Sequence, residues 1–191
     1  IAAAAGQEPQ VAGKPHQPTV DISRRRFGSI DTVVGDRADT DLAAHVVQSF
    51  GTDGRPYYDV DLSDPSFAGT SLTVTVTGGS ASGRLAIVGH VNAGVNDLGA
   101  VRVQGDLGDI DAGSGSATVP AVRSLTVGSL GRFAQRGNGN NTSNLNGNVG
   151  PVVVRGDLDD TYVRVAGNLA SAFVGGSLVG RDDPDGGEIY A

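Results

Sequence analysis

The chain has 191 residues, of which 30 are Gly, 38% are hydrophobic and only 5% are aromatic; that length allows one or two domains, but large side chains are too few for a conventional globular core, and a narrow interior of Val, Leu, Ile and Ala accounts for the deficit. A net charge of −7 and a pI near 4.7 argue against a nucleic-acid partner, and the one basic run, Arg24-Arg25-Arg26, is too short for an electrostatic footprint. Without Cys there are no disulfides, thiolate metal sites or Cys nucleophiles, and no apolar run approaches the ~20 residues that span a bilayer.

Residues 1–20 are rich in Ala, Gln, Pro and Gly, with Pro9, Pro15 and Pro18, and read as an extended N-terminal arm. The chain opens on Ile1-Ala2-Ala3-Ala4-Ala5 rather than Met, as expected of a processed, excised or partial chain near a small-residue cleavage site. Ser23-Arg24-Arg25-Arg26-Phe27 has the look of a twin-arginine export signal. The stretch after it, Ile30 to Arg37, carries charges where an apolar region belongs, so a solvated basic turn is the simpler reading.

Residues 21–84 read as a non-repeat, β-rich capping region. Leu42, Val46 and Phe50 stand at helical spacing, with Asp39, Thr40 or Asp41 to cap the start and Gly51 to end it. This predicts a short amphipathic helix over 41–50, although the Val and Phe content leaves a strand open. Tyr58-Asp59-Val60-Asp61-Leu62 alternates as a strand with its Asp residues outward. Leu72 to Thr77 alternates Leu/Val with Thr, placing Leu72, Val74 and Val76 toward a core. The Thr row occupies one strand only, so ordinary β-propensity explains it better than an ice-binding face.

From residue 85 to 191 a short phrase recurs: alternating apolar residues, a Gly, a small polar residue, an apolar residue. It is seen in Leu85-Ala86-Ile87-Val88-Gly89-His90-Val91, Val101-Arg102-Val103-Gln104-Gly105-Asp106-Leu107 and Leu125-Thr126-Val127-Gly128-Ser129-Leu130. It returns in Val153-Val154-Arg155-Gly156-Asp157-Leu158, Val163-Arg164-Val165-Ala166-Gly167-Asn168-Leu169 and Phe173-Val174-Gly175-Gly176-Ser177-Leu178. Extra length falls in polar inserts, the longest being a surface loop over Arg136–Asn144. The Gly is expected to supply positive φ at a sharp turn, the polar residue to hold the turn, and the Leu to return to the core. Asp106, Ser129, Asp157, Asn168 and Ser177 would form one polar ladder with no two acids adjacent. A unit this small buries its apolar face only by stacking. The expected fold is therefore all-β, a parallel β-helix or β-solenoid; the alternative is an antiparallel β-sandwich.

Leu98 to Gly113, Val122 to Gly131 and Val174 to Gly180 resemble the repeats of large bacterial cell-surface proteins, planctomycete ones especially. The resemblance covers roughly residues 70–191 and implies an exported, β-helical structural protein. It carries over no catalytic or binding residues.

Of the three histidines, His16 lies in the arm, His45 in the expected helix and His90 in a turn, with no zinc-type spacing. Ser, His and Asp occur without a nucleophile-elbow pattern. Acidic residues cluster as Asp59, Asp61 and Asp64, as Asp157, Asp159 and Asp160, and as Asp182, Asp183, Asp185 and Glu188. The last group, beside Gly186-Gly187, is the best candidate for a structural Ca²⁺ site, with solvated turns as the simpler reading. Asn140 and Asn141 both satisfy the N-glycosylation pattern. Gly187 to Ala191 reads as the opening of another strand with no polar cap after it. Either the protein continues beyond this chain or the next subunit completes the coil; in the second case an open strand edge invites another chain, and end-to-end contact gives a filament. The expected function is an extracellular structural protein that self-associates into a surface layer or filament, and not an enzyme. An adhesin holding glycans or surface proteins is the alternative, and a β-helix carbohydrate-active enzyme the second alternative, set back by the lack of Trp and the few Tyr and Phe for sugar stacking.

Overall fold

The computed structural model describes residues 19–20, 32–35, 45–50, 56–75, 86–132, 141–180 and 187–191. Its strands in chain order are β1 (Thr19–Val20), β2 (Thr32–Gly35), β3 (Val46–Phe50), β4 (Pro56–Asp61), β5 (Leu72–Thr75), β6 (Ala86–Asn92), β7 (Leu98–Ala112) and β8 (Val122–Leu130). They continue as β9 (Thr142–Leu145), β10 (Val149–Val154), β11 (Leu158–Asp159), β12 (Tyr162–Val165), β13 (Leu169–Val174), β14 (Leu178–Val179) and β15 (Glu188–Tyr190). One turn of 3-10 helix, Pro65–Phe67, follows β4, with the Asp64 carboxylate accepting the Ser66 backbone N–H at 2.8 Å. The fold is all-β. The fifteen strands form one mixed, branched sheet that does not close on itself.

The repeat strands pair in parallel along three ladders. The first runs β4, β6, the second half of β7, β9, β12 and β15. The second runs β5, the first half of β7, β8, β10 and β13. The third is short and stacks Val88, Leu107, Leu130, Leu158 and Leu178 in register. Each pass of the chain thus leaves a strand on one ladder, crosses to the next, and returns beside its predecessor. This is parallel pairing, not the hairpin pairing that the sandwich alternative requires. The antiparallel pairs, β1 with β2, β2 with β5 and β3 with β4, all lie at the front of the ladders.

Alternation sets which side chains meet inside. Val74, Val103, Val127 and Val154 form one inward column across the second ladder, and Leu107, Leu130 and Leu158 form another. All seven are 0–3% exposed. At roughly 1.5–3 kcal/mol for each buried aliphatic side chain, these columns are the main cohesive element. No single pass has enough apolar surface to supply it alone.

The recurring glycines serve a different purpose from the expected one. Of Gly89, Gly105, Gly128, Gly156, Gly167 and Gly176, only Gly105 has positive φ, at 151°. Gly105, Gly128, Gly156 and Gly176 form one corner column, where neighbouring passes touch backbone to backbone, while Gly167 meets Gly147 at another corner. A Cβ on Gly128 would lie 2.6 Å from the Gly105 carbonyl oxygen, and one on Gly176 would lie 2.8 Å from the Gly156 carbonyl carbon.

The structure corrects three further expectations. Residues 46–50 are a strand, not a helix: β3 pairs with β4 from Val46↔Val60 to Phe50↔Pro56, and this pairing overrides the helical spacing. Residues 41–44 lie outside the described residues. Thr142–Asn144, expected in a loop, belong to β9 and pair with β12, while residues 133–140 lie outside the described residues. The polar ladder is two ladders. Ser129 Oγ donates to Asp106 Oδ1 at 2.7 Å and the Ser177 N–H donates to Asp157 Oδ1 at 2.9 Å, whereas Asn168 belongs to another corner, where its N–H donates to Asn148 Oδ1 at 2.9 Å.

Candidate functional site

On the first ladder the outward positions repeat two residues apart. Register aligns Asp59, His90 and Asp109 in one row and Asp61, Asn92 and Asp111 in the next. The second row continues through Asn144, Arg164 and Tyr190. Parallel pairing therefore gathers one imidazole and four carboxylates on three adjoining strands.

His90 is the centre of this group. Its side chain is only 14% exposed, and that of Asp109 is fully buried. The ring Nδ1 hydrogen-bonds Asp109 Oδ1, and Nε2 faces Asp111 Oδ2 at 3.9 Å. Asp59 Oδ1 and Asp109 Oδ2 are buried with no hydrogen-bond partner among the described residues. Burial alone would lower the His90 pKa; the hydrogen bond to Asp109 and the charges of Asp109, Asp111 and Asp59 outweigh it and raise the pKa above 6.5. Burial pushes the Asp59 carboxyl above its usual 3.8, against the opposing charge and backbone N–H of His90. Asp61 goes the other way, because Ser63 donates to it, its backbone N–H at 3.0 Å from Oδ1.

Asparagines tie the second row together. Asn144 donates to Asp111 Oδ1 from its backbone N–H at 3.1 Å and from Nδ2 at 2.9 Å. Both ring nitrogens of His90 face carboxylates, which suits a held cation joining β4, β6 and β7 better than a base open to a substrate. Among the described residues, no three His, Asp or Glu side chains converge in a way that could hold a metal ion.

The acidic clusters read from the sequence are redistributed. Asp59 and Asp61 join His90 and Asp109, while Asp64 caps the 3-10 turn. Of the proposed Ca²⁺ group, Asp182, Asp183 and Asp185 lie outside the described residues. Glu188 sits in β15 and accepts a hydrogen bond from the Tyr190 hydroxyl. Asn140 lies outside the described residues, and Asn141 has φ 60° with its carbonyl accepting from Thr161 Oγ1 at 2.9 Å. His90, expected in a turn, lies within β6. A signal for its group was present: Asp59-x-Asp61, His90-x-Asn92 and Asp109-x-Asp111 share one spacing.

The second notable region is the pair of ladder ends. Among the described residues, β13, β14 and β15 at the back are each paired on one side only, and β1 and β3 at the front are likewise edge strands. Leu158 is fully buried, whereas Leu178, its register partner in the last described pass, is 63% exposed; Phe173, in the outward row of the second ladder, is 59% exposed. On β3, Val47 and Phe50 are 58% and 57% exposed. Comparison with protein families, curated proteins and solved structures finds no match to this chain.

Proposed function

We propose that the chain is a structural β-solenoid, a subunit of an extracellular surface layer or filament that assembles end to end through its open strand edges. The observation that carries this reading is the contrast within the third ladder. Leu107, Leu130 and Leu158 are fully buried, whereas Leu178, at the same register position in the last described pass, is 63% exposed and has no further strand beside it among the described residues. An unpaired parallel edge with its inward apolar position exposed is a template for one more pass. The front edge carries the complementary features: β3 is paired only with β4 among the described residues, and its Val47 and Phe50 are exposed. Front-to-back contact between copies is heterologous and does not close, so it propagates.

Electron microscopy and sedimentation of the purified chain test this. Polymers are expected for the wild type and monomers for Leu178→Lys combined with Phe173→Lys. Both side chains are more than half exposed, so the substitutions leave folding stability within about 0.5 kcal/mol and report on assembly alone. A wild-type chain that stays monomeric at high concentration, with no fibres or sheets, overturns the reading.

A further inference from the structure

The outward face of the second ladder carries a chemistry unlike the rest of this acidic chain. Thr73, Arg102 and Thr126 stand in register across β5, β7 and β8. Beside that row, Thr75 and Gln104 project from β5 and β7, and Arg155 follows the end of β10. These six residues line a groove of about 690 Å³, a size in the range of small-ligand sites. Arg102 and Arg155 are both exposed. Among the described residues neither guanidinium has an acidic partner, and the three Thr hydroxyls and the Gln104 amide make no hydrogen bond.

From this arrangement we infer that the groove binds an acidic oligosaccharide, a short chain bearing uronate carboxylates. Arginine presents a planar fork of donors that matches a carboxylate in two parallel hydrogen bonds. Threonine hydroxyls and a primary amide both donate and accept, which is the complement of sugar hydroxyls. Arg102 and Arg155 stand two strands apart, about 10 Å across the sheet, a spacing at which a ligand with several acidic groups can give each guanidinium its own carboxylate. With a net charge of −7 on the chain, the two unpaired cations act locally, and their attraction is screened by salt. The backbone beneath is fixed by the inward column Val74, Val103 and Val127, so the groove is formed before the ligand arrives.

The test is calorimetric titration of the full chain with tetragalacturonate and with its fully methyl-esterified form. Binding of the acid is expected, with no binding of the ester. Arg102→Gln and Arg155→Gln should each weaken binding at least tenfold, and Arg123→Gln, an exposed arginine outside the groove, should leave it unchanged. Circular dichroism confirms that each variant is folded. In the wild type, raising NaCl should weaken binding progressively, a readout that needs no variant. No binding of the acid, equal binding of the ester, full binding by both groove variants, or an equal loss in Arg123→Gln each overturns the inference.

Discussion

Replacing His90 with Gln tests the idea that one imidazolium ties three strands together. The substitution removes the positive charge between Asp59, Asp109 and Asp111 and leaves the fully buried Asp109 side chain without its ring partner. Stripping one partner from a buried ion pair costs 3–5 kcal/mol; with His90 still 14% exposed, the loss here should be about 2–3 kcal/mol. The sign of the pH dependence follows from linkage. The folded pKa of His90 lies above 6.5, so its contribution is complete below 6.5 and is lost as pH rises through the folded value. The raised Asp59 acts in the same direction, its contribution complete below 3.8 and lost as pH rises, and the lowered Asp61 contributes above 3.8 and loses it as pH falls, so the difference between wild type and His90→Gln isolates the imidazole's share. Urea unfolding at pH 5.5 and pH 9.5 should therefore show the wild type losing stability toward the higher pH. His90→Gln should be strongly destabilised at pH 5.5 and much closer to wild type at pH 9.5. Adding Asp109→Asn should recover part of the loss by removing the stranded carboxylate. An equal loss at both pH values, or a wild-type profile flat across that range, would falsify the held-cation account.

Leu130→Ala should cost about 2–5 kcal/mol in chemical denaturation, because Leu130 is fully buried; Leu178→Ala should cost under about 1 kcal/mol, since that side chain is 63% exposed. Equal costs would mean that the last pass is covered in the isolated chain. Gly128→Val should lower the thermal midpoint sharply, since even its Cβ would sit 2.6 Å from the Gly105 carbonyl oxygen; a loss of about 1–3 kcal/mol or more is expected from overpacking, and an unchanged midpoint would contradict the glycine column. Val47→Lys in the front strand should reduce polymer length in sedimentation as effectively as Leu178→Lys at the back. Polymers insensitive to the front substitution would show that β3 is not the complementary surface.

Local pattern made the strands legible and left their partners hidden. Alternation in Val101-Arg102-Val103 and Leu125-Thr126-Val127 gives both strand and face, and both are as expected. Register was out of reach because the inserts differ in length: His90 bonds Asp109 across 19 positions, while Asn144 reaches Asp111 across 33. With register unknown, the meeting of Asp59, His90 and Asp109 could not be deduced. The corner glycines show the same limit from another side. Their recurrence was visible, but the reason for it is contact with the pass beneath, which no local rule about φ contains. Leu42, Val46 and Phe50 have a helical spacing in the sequence, but over residues 46–50 strand pairing prevails. Pairing with β4 satisfies the backbone there, and Val46 packs against the core.

Stacking also explains how two opposite chemistries coexist on one small chain. An inward column tolerates only apolar residues, as in Val101, Leu125 and Val152, all fully or nearly fully buried. One residue away, the outward row reads Arg102, Thr126 and Val153 and is free to vary from pass to pass. Parallel register then turns a difference of one position in sequence into a surface row several strands wide. On the first ladder that row is an imidazole held between carboxylates, its charge paired within the row. On the second it is arginine among threonines, with donors unspent among the described residues. Because polar side chains already matched to one another gain little by exchanging partners, while unmatched ones gain a full charge-assisted bond, a ligand should prefer the second ladder. The first then serves cohesion within the chain, and the two roles can be separated by substitution: His90→Gln should move stability and spare uronate binding, and Arg102→Gln should do the reverse.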